Sequence, residues 1–238
     1  MLPVPDFLRG WFRKPHPVIL RNRELFAAFD QSRPLSEYRF VVFDTELTGL
    51  NRRRDEIISI GAVSINNLMI ELGSSFHMYI RPTRQTEYTD STFIHRITPQ
   101  QLDDAPLAEE VLPMFVEFCG DALLTGHFVG IDMHFLNKAC RDVLGGYMSN
   151  PSVDTMRLAR GYKEGRGVYG YGQCDQSESY HLADLTEEFN LPPFRAHDAL
   201  EDAMQTAYLF LFLIKKMKKG GIGTLKQLYQ AGRIWHLM

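Results

Sequence analysis

Two acids stand two residues apart in Val41-Val42-Phe43-Asp44-Thr45-Glu46-Leu47-Thr48-Gly49. If this stretch is a strand, Asp44 and Glu46 project from one face, ~6 to 7 Å apart. Carboxylates so placed repel and raise each other's pKa, which a fold tolerates where a cation sits between them. Alone, the pair reads equally well as a solvated strand end. A third acid, Asp132, opens a helical stretch after Gly126-His127-Phe128-Val129-Gly130-Ile131. Acids are favoured in a first helical turn on dipole grounds alone. A fourth, Asp202, stands in His197-Asp198-Ala199-Leu200-Glu201-Asp202. His197 and Asp202 are ~140° apart around a helix, so they converge only if His197 precedes the first turn. Each has a bland reading, a capping histidine and a surface acid. Taken together, four carboxylates on three segments with a histidine form a hard-oxygen site suited to Mg²⁺ or Mn²⁺ rather than zinc. Two such ions would offset the four negative charges, activate a water and stabilise a leaving oxygen, as phosphodiester cleavage requires. Histidine is the residue type fitted to act as general base beside them.

The elements that must position these groups are legible in outline. Tyr38 to Glu46, Glu56 to Ile65 and Met69 to Ile80 read as strands and predict an antiparallel meander. From Thr98-Pro99, a capped helix start, the character changes. Helices are expected over Leu107 to Phe118 with a kink at Pro113, then Asp132 to Leu144 stopped by Gly145-Gly146. Further helices are expected over Asp154 to Arg160, His181 to Phe189 and His197 to Lys219, and Ala122 to Thr125 as a short buried strand. Strands followed by alternating strands and helices indicate a mixed-sheet α/β domain. Gly161 to Tyr180, rich in glycine and tyrosine, reads as a flexible loop, with a base-stacking platform as the bolder alternative. Residues 1–37 read as an N-terminal extension with one short helix around Arg23 to Asp30, packing on a main domain over 38–219; residues 220–238 form a C-terminal extension that packs on the domain or binds a partner.

Composition bounds the function. The chain has 238 residues, 45% hydrophobic and 23% charged, with net charge -3. That suits one folded domain with extensions and excludes a strongly basic nucleic-acid coat. Three cysteines, none spaced as C-x-x-C, argue against a disulfide framework or structural zinc and for a reducing, cytoplasmic compartment. The apolar run from Ala207 to Ile214 is too short for a bilayer, and the N-terminus makes a poor signal peptide, so no membrane association is expected.

Phe43-Asp44-Thr45-Glu46-Leu47-Thr48-Gly49-Leu50 resembles the first motif of the DEDDh 3′–5′ exonucleases, the family that includes the proofreading epsilon subunit of bacterial DNA polymerase III. His197 through Asp202, with H-x-x-x-x-D spacing, resembles the third motif and selects the histidine subgroup. His127 and Asp132 keep the spacing of the second motif, but Phe128 replaces its usual asparagine. Ile94-His95-Arg96-Ile97-Thr98, with Arg96 for a usual glycine, Val153-Asp154-Thr155 and Leu158-Ala159-Arg160 match further stretches; the whole likeness covers about Tyr38 to Lys216. The resemblance implies a ribonuclease H-like α/β fold: a mixed five-stranded sheet, with a three-strand antiparallel meander plus parallel strands, flanked by helices. It implies that Asp44, Glu46, Asp132 and Asp202 bind two divalent ions, Mg²⁺ or Mn²⁺, and that His197 deprotonates the attacking water. It implies that Thr45, Leu47, Thr48 and His127 line the 3′-terminal nucleotide, with Phe128, Phe135 and His95 as further candidate contacts. The expected reaction is hydrolysis from the 3′ end of single-stranded or frayed DNA, releasing nucleoside 5′-monophosphates in proofreading or repair, with a separate polymerase chain as candidate partner.

Two other readings stay open. An exoribonuclease would carry the same residues, since nothing here reports a 2′-hydroxyl, although DNA is placed ahead of RNA. A non-catalytic nucleic-acid or polymerase-binding module would have no need to hold four acids together. An aspartyl-phosphate phosphatase is disfavoured because Glu46 stands where a second Asp is needed. Arg52-Arg53-Arg54 and Lys215-Lys216-Met217-Lys218-Lys219 are solvated faces or phosphate tracks, the first being better placed.

Overall fold

The computed structural model describes residues 13–83, 97–169, 179–195 and 197–232. Three strands form the meander: β1 (Phe40–Leu47), β2 (Ile57–Asn66) and β3 (Met69–Tyr79). Two short strands, β4 (Leu123–Gly126) and β5 (Ser152–Asp154), add in parallel on the other side of β1, giving the order β3-β2-β1-β4-β5. This is the mixed five-stranded sheet expected from the sequence.

Helices cover both faces, and strand alternation decides which residues meet which helix. Val41 and Phe43 face a core shared with α3 (Ala108–Cys119) and α4 (Gly130–Leu144). Phe40 and Val42 face α7 (Ala199–Lys219), where the Phe40 and Phe210 rings lie 4.9 Å apart. Helix α7 lies close because Ala199, Ala203 and Ala207 form a buried ridge of small side chains at i, i+4, i+8. Opposite that ridge is Gly61 of β2, where an added Cβ would sit 2.1 Å from the Ala199 carbonyl carbon and the Leu200 nitrogen. Backbone rests on backbone there, which only glycine permits.

Three expectations need correction. The N-terminal helix is α1 (Pro17–Leu25), not Arg23 to Asp30. His16 caps it by accepting the Val18 N–H at 3.3 Å, and Pro17 takes the first helical position. Asp30 instead accepts from the Ser32 N–H and hydroxyl in a turn. Helix α5 (Thr155–Tyr169) runs on through the start of the supposed glycine-rich loop. Gly161 sits inside it, and its bare Cα admits the Ala231 carbonyl of α8 (Leu225–Ala231). Residues 170–178 lie outside the described residues. The last long helix starts at Ala199 with Asp198 as its N-cap, so His197 stands before the first turn. Helix α3 continues through Pro113, while α2 (Pro99–Asp103), α4 and α6 (Leu182–Glu188) fall near their expected places.

The segments flanking the sheet share its core. Ile19 of α1 is fully buried, as are Leu225 and Leu228 of α8. A buried amide network secures α1: Asn22 donates to Asn150 Oδ1 at 2.6 Å and accepts from the Ser149 N–H at 2.7 Å. Asn150 in turn donates to the carbonyls of Gly120 and Ala122. Asn22→Leu would strand a buried donor and acceptor together. We expect a loss of about 2 to 3 kcal/mol in denaturant unfolding, with the site intact in the cold. An unchanged midpoint would mean that water replaces the amide.

Candidate active site

Strand β1 ends in the two acids. Asp44 and Glu46 lie on the same face as Phe40 and Val42, the α7 face. Their register partners on β2 are Gly61 and Ser59. Because Gly61 lets the first turn of α7 settle beside Asp44, Asp202 arrives there too. Carboxylate oxygens of Asp44, Glu46 and Asp202 all lie within 4.8 Å of one another. The pairing slips between Glu46 and Leu47, leaving Ile58 of β2 unmatched. Such a bulge re-aims side chains at a strand end. Ile58 turns to a separate cluster with Ile97 and Leu102 of α2.

Asp132 reaches the site from the other face. Thr45 points oppositely to Asp44 and Glu46, toward α4, and holds Asp132 Oδ1 by its N–H at 3.0 Å and its hydroxyl at 2.6 Å. Three of the four expected carboxylates therefore converge directly, and the fourth is held across the strand by the residue between the other two. His197 joins through its backbone, its N–H donating to Asp202 Oδ2 at 2.9 Å. Its side chain is exposed and its φ is +66°, a left-handed conformation that costs a non-glycine residue ~1 kcal/mol or more. Standing before the helix brings the His197 backbone onto Asp202, while its imidazole is not among the ligand atoms gathered at the three carboxylates.

The electrostatics are those of crowded, largely buried carboxylates. Burial, then the carboxylates of Asp132, Glu46 and Asp202, hold Asp44 well above the usual range. Burial and the neighbouring acids push Glu46 up to about 7. Asp132 rises to about 6, mainly by burial, against the Thr45 hydrogen bonds that lower it. Asp202 is raised by burial as well. An all-oxygen donor set under mutual repulsion fits a hard divalent cation, whose charge would reverse every one of these shifts.

The remaining candidates divide. His127 spends both ring nitrogens inside the chain, Nε2 donating to the Tyr180 carbonyl and Nδ1 accepting from the Thr155 hydroxyl, each at 2.8 Å. Burial takes it down to about 4, so it stays neutral. Leu47 is buried in the core, and Thr48 ties the end of β1 to β2 through the Glu56 N–H and carbonyl. Phe135 is also core, beneath the Lys138 ammonium. Phe128 is 38% exposed. His95 lies outside the described residues. Sequence reasoning missed Gly61, although a lone glycine in a strand is the signal of a close backbone approach. It singled out the stretch around Asp154 without a role for its carboxylate, which accepts the Phe128 N–H at 3.1 Å, and it missed Ser59, whose buried hydroxyl has no hydrogen-bond partner among the described residues.

The two basic clusters also separate. Arg53 and Arg54 border a cavity of about 550 Å³ with Arg81, Lys138 and Arg141, beside the turn that follows β1. The lysines near 216–219 end α7, 21 residues long, hence roughly 21 to 26 Å along the helix from Asp202. There they complement the helix dipole. Among the described residues no helix is long and apolar enough to cross a membrane.

Residues 41–210 match the exonuclease family model RNase_T. The DNA polymerase III PolC-type of Thermotoga petrophila is 34% identical over 210 residues, 88% of this chain but 14% of that protein's length. That of Thermotoga maritima is 37% identical over 189 residues, 79% of this chain and 13% of its own length. The chain thus spans about one seventh of these relatives. Among solved structures, Exonuclease X in complex with 5′ overhanging duplex DNA aligns at TM-score 0.58 and 25% identity, over 81% of this chain and 99% of that one. The nuclease domain of 3′hExo, a DEDDh family member bound to rAMP, aligns at TM-score 0.63 and 18% identity, over 77% and 94%; that likeness concerns the fold.

Proposed function

The chain belongs to the RNase_T exonuclease family, and from that premise we propose that it hydrolyses single-stranded or frayed DNA from the 3′ end, releasing nucleoside 5′-monophosphates. The observation that carries the reading is the convergence of the Asp44, Glu46 and Asp202 carboxylates within 4.8 Å. The exonuclease unit is assigned to residues 38–219, with 1–37 and 220–238 as flanking extensions.

Asp44, Glu46 and Asp202, with Asp132 across the strand, would hold two divalent ions, Mg²⁺ or Mn²⁺. When bound, these supply a lowered water pKa and charge stabilisation of the leaving oxygen. The chain's own residues do the rest. Thr45 fixes Asp132 by two hydrogen bonds, so that carboxylate needs no reorganisation when substrate arrives. His197 Nδ1 or Nε2 takes the proton of the attacking water, and its exposure lets that proton pass to solvent. Asp202 anchors the His197 backbone and so couples base to carboxylate cluster. Of the residues expected to line the terminal nucleotide, which must enter unpaired, Thr45 acts by holding Asp132, Leu47 by packing beneath the end of β1 and His127 by bracing the loop before α4, and Thr48 borders the entrance at the strand end. The cationic rim of Arg53, Arg54 and Arg81 suits phosphates of the strand behind it. The PolC-type relatives, DNA polymerases by name, favour a proofreading or repair role; a polymerase as partner, on a separate chain, and a cytoplasmic setting complete the proposal.

The test uses 5′-labelled single-stranded DNA and RNA of matched sequence, in Mg²⁺, Mn²⁺ and EDTA. The expected result is a 3′-shortening ladder on DNA that needs metal. A faster ladder on RNA would make it an exoribonuclease. A folded protein inert on both would leave a binding module.

A further inference from the structure

We propose that Phe128 is a stacking platform for an unpaired base of the substrate strand, set beside the carboxylate cluster by a strained backbone; this rests on the exonuclease reading. Phe128 has φ +53°, left-handed backbone that bulky residues rarely adopt. Asparagine, the residue usual in the motif, tolerates that conformation better, so phenylalanine is kept here against local preference. The surroundings over-determine the strain. The Phe128 N–H donates to Asp154 Oδ1 at 3.1 Å, and its carbonyl accepts from the Ile131 N–H at 3.0 Å. Strain maintained this way points to a functional site.

The ring is not spent on the core. It is 38% exposed, and Ile131, in the same turn, is 43% exposed. Asp132, the next residue, is the one Thr45 holds. The Phe128 ring meets His127 edge-on, with centroids 5.0 Å apart and planes at 80°. His127 cannot rotate, because both its nitrogens are hydrogen-bonded. The His181 ring lies 6.5 Å away on another side. The result is a partly exposed phenyl ring on a held backbone, packed against an anchored imidazole, four residues before a site carboxylate. A rigid aromatic face of this kind takes any base by stacking, without sequence preference.

The experiment compares the parent with Phe128→Leu, which keeps apolar bulk and loses the π-face, and Phe128→Tyr, which keeps both. Binding of a fluorescent single-stranded oligonucleotide is followed by anisotropy in EDTA, and cleavage is followed in Mg²⁺. For Phe128→Leu we expect Kd and KM to rise about tenfold with kcat within about threefold, the signature of lost stacking. Phe128→Tyr should match the parent. An abasic site at one position near the 3′ end should weaken the parent and leave Phe128→Leu unmoved. A folded Phe128→Leu with parental Kd and KM on all oligonucleotides, or a loss in kcat alone, overturns the platform. Binding in EDTA is independent of hydrolysis. A parent that binds through Phe128 but shortens no 3′ end would therefore uphold the platform and sink the exonuclease reading.

Discussion

Asp44→Asn is expected to lower cleavage by about 10³-fold or more while making the metal-free protein more stable above neutral pH. Both effects have one cause. Asp44 is buried among three other carboxylates, and every one of these influences raises its pKa above the ordinary 3.8. A carboxyl whose folded pKa exceeds its unfolded value gains protons on folding. Its penalty is absent in acid, where both states are protonated, and grows as pH rises through the interval between the two values. Glu46 gives a scale. Its rise from 4.5 to about 7 corresponds to about 3 kcal/mol, developed between those pH values. The parent in EDTA should therefore unfold at lower temperature at pH 8 than at pH 5.5. Mn²⁺ should reverse that trend, because metal displaces the protons. Asp44→Asn removes the most strongly perturbed acid, so its thermal midpoint in EDTA should exceed the parent's at pH 8 and approach it at pH 5.5. Retained cleavage would remove Asp44 from the chemistry. A parent indifferent to pH and to Mn²⁺ would mean that the acids are solvated and hold no ion.

Gly61→Ala should be nearly as damaging, although Gly61 has no functional group. An added Cβ would meet the Ala199 carbonyl carbon and the Leu200 nitrogen at 2.1 Å, well inside van der Waals contact. Neither is the flexible end of a side chain, so the N-terminus of α7 has to lift from the sheet. That turn carries Asp202 and, just ahead of it, His197. Displacement by 1 Å at a reacting centre can reduce rate ~100-fold. The repacking should cost about 1 to 3 kcal/mol. We expect kcat to fall by about two orders of magnitude, and the Mn²⁺-induced rise in thermal midpoint to shrink with it. Gly130→Ala is the matched control, since a methyl there meets nothing within 4 Å. If Gly61→Ala kept parental kcat and Mn²⁺ response, α7 would be free to move without disturbing the site.

Much of this site is local and was legible as such. The i, i+2 spacing on a strand puts Asp44 and Glu46 on one face whatever the rest of the chain does. Asp132 follows a short strand into a helix, and Gly145 at φ +69° ends that helix. The strand-rich first half and the alternating second half predict the mixed sheet, because periodicity is a short-range property. Even the condition on His197, that it precede the helix, follows from 3.6 residues per turn.

What spacing could not decide is which helix covers which face. The division of the acids, three together on the α7 side and Asp132 held by Thr45 on the α4 side, depends on packing between segments ~90 to 160 residues apart in sequence. The same holds for Gly61, whose role exists only once α7 lies on it. His127 has the motif spacing of a substrate contact, yet Thr155 and Tyr180 use both its nitrogens, and Tyr180 is 53 residues away in the chain. The terminal lysines of α7 lie far from the acids because one straight helix separates them. Residue type and spacing determined which groups could do chemistry; burial and through-space repulsion, which arise only when distant segments pack, decided their arrangement and their proton affinities.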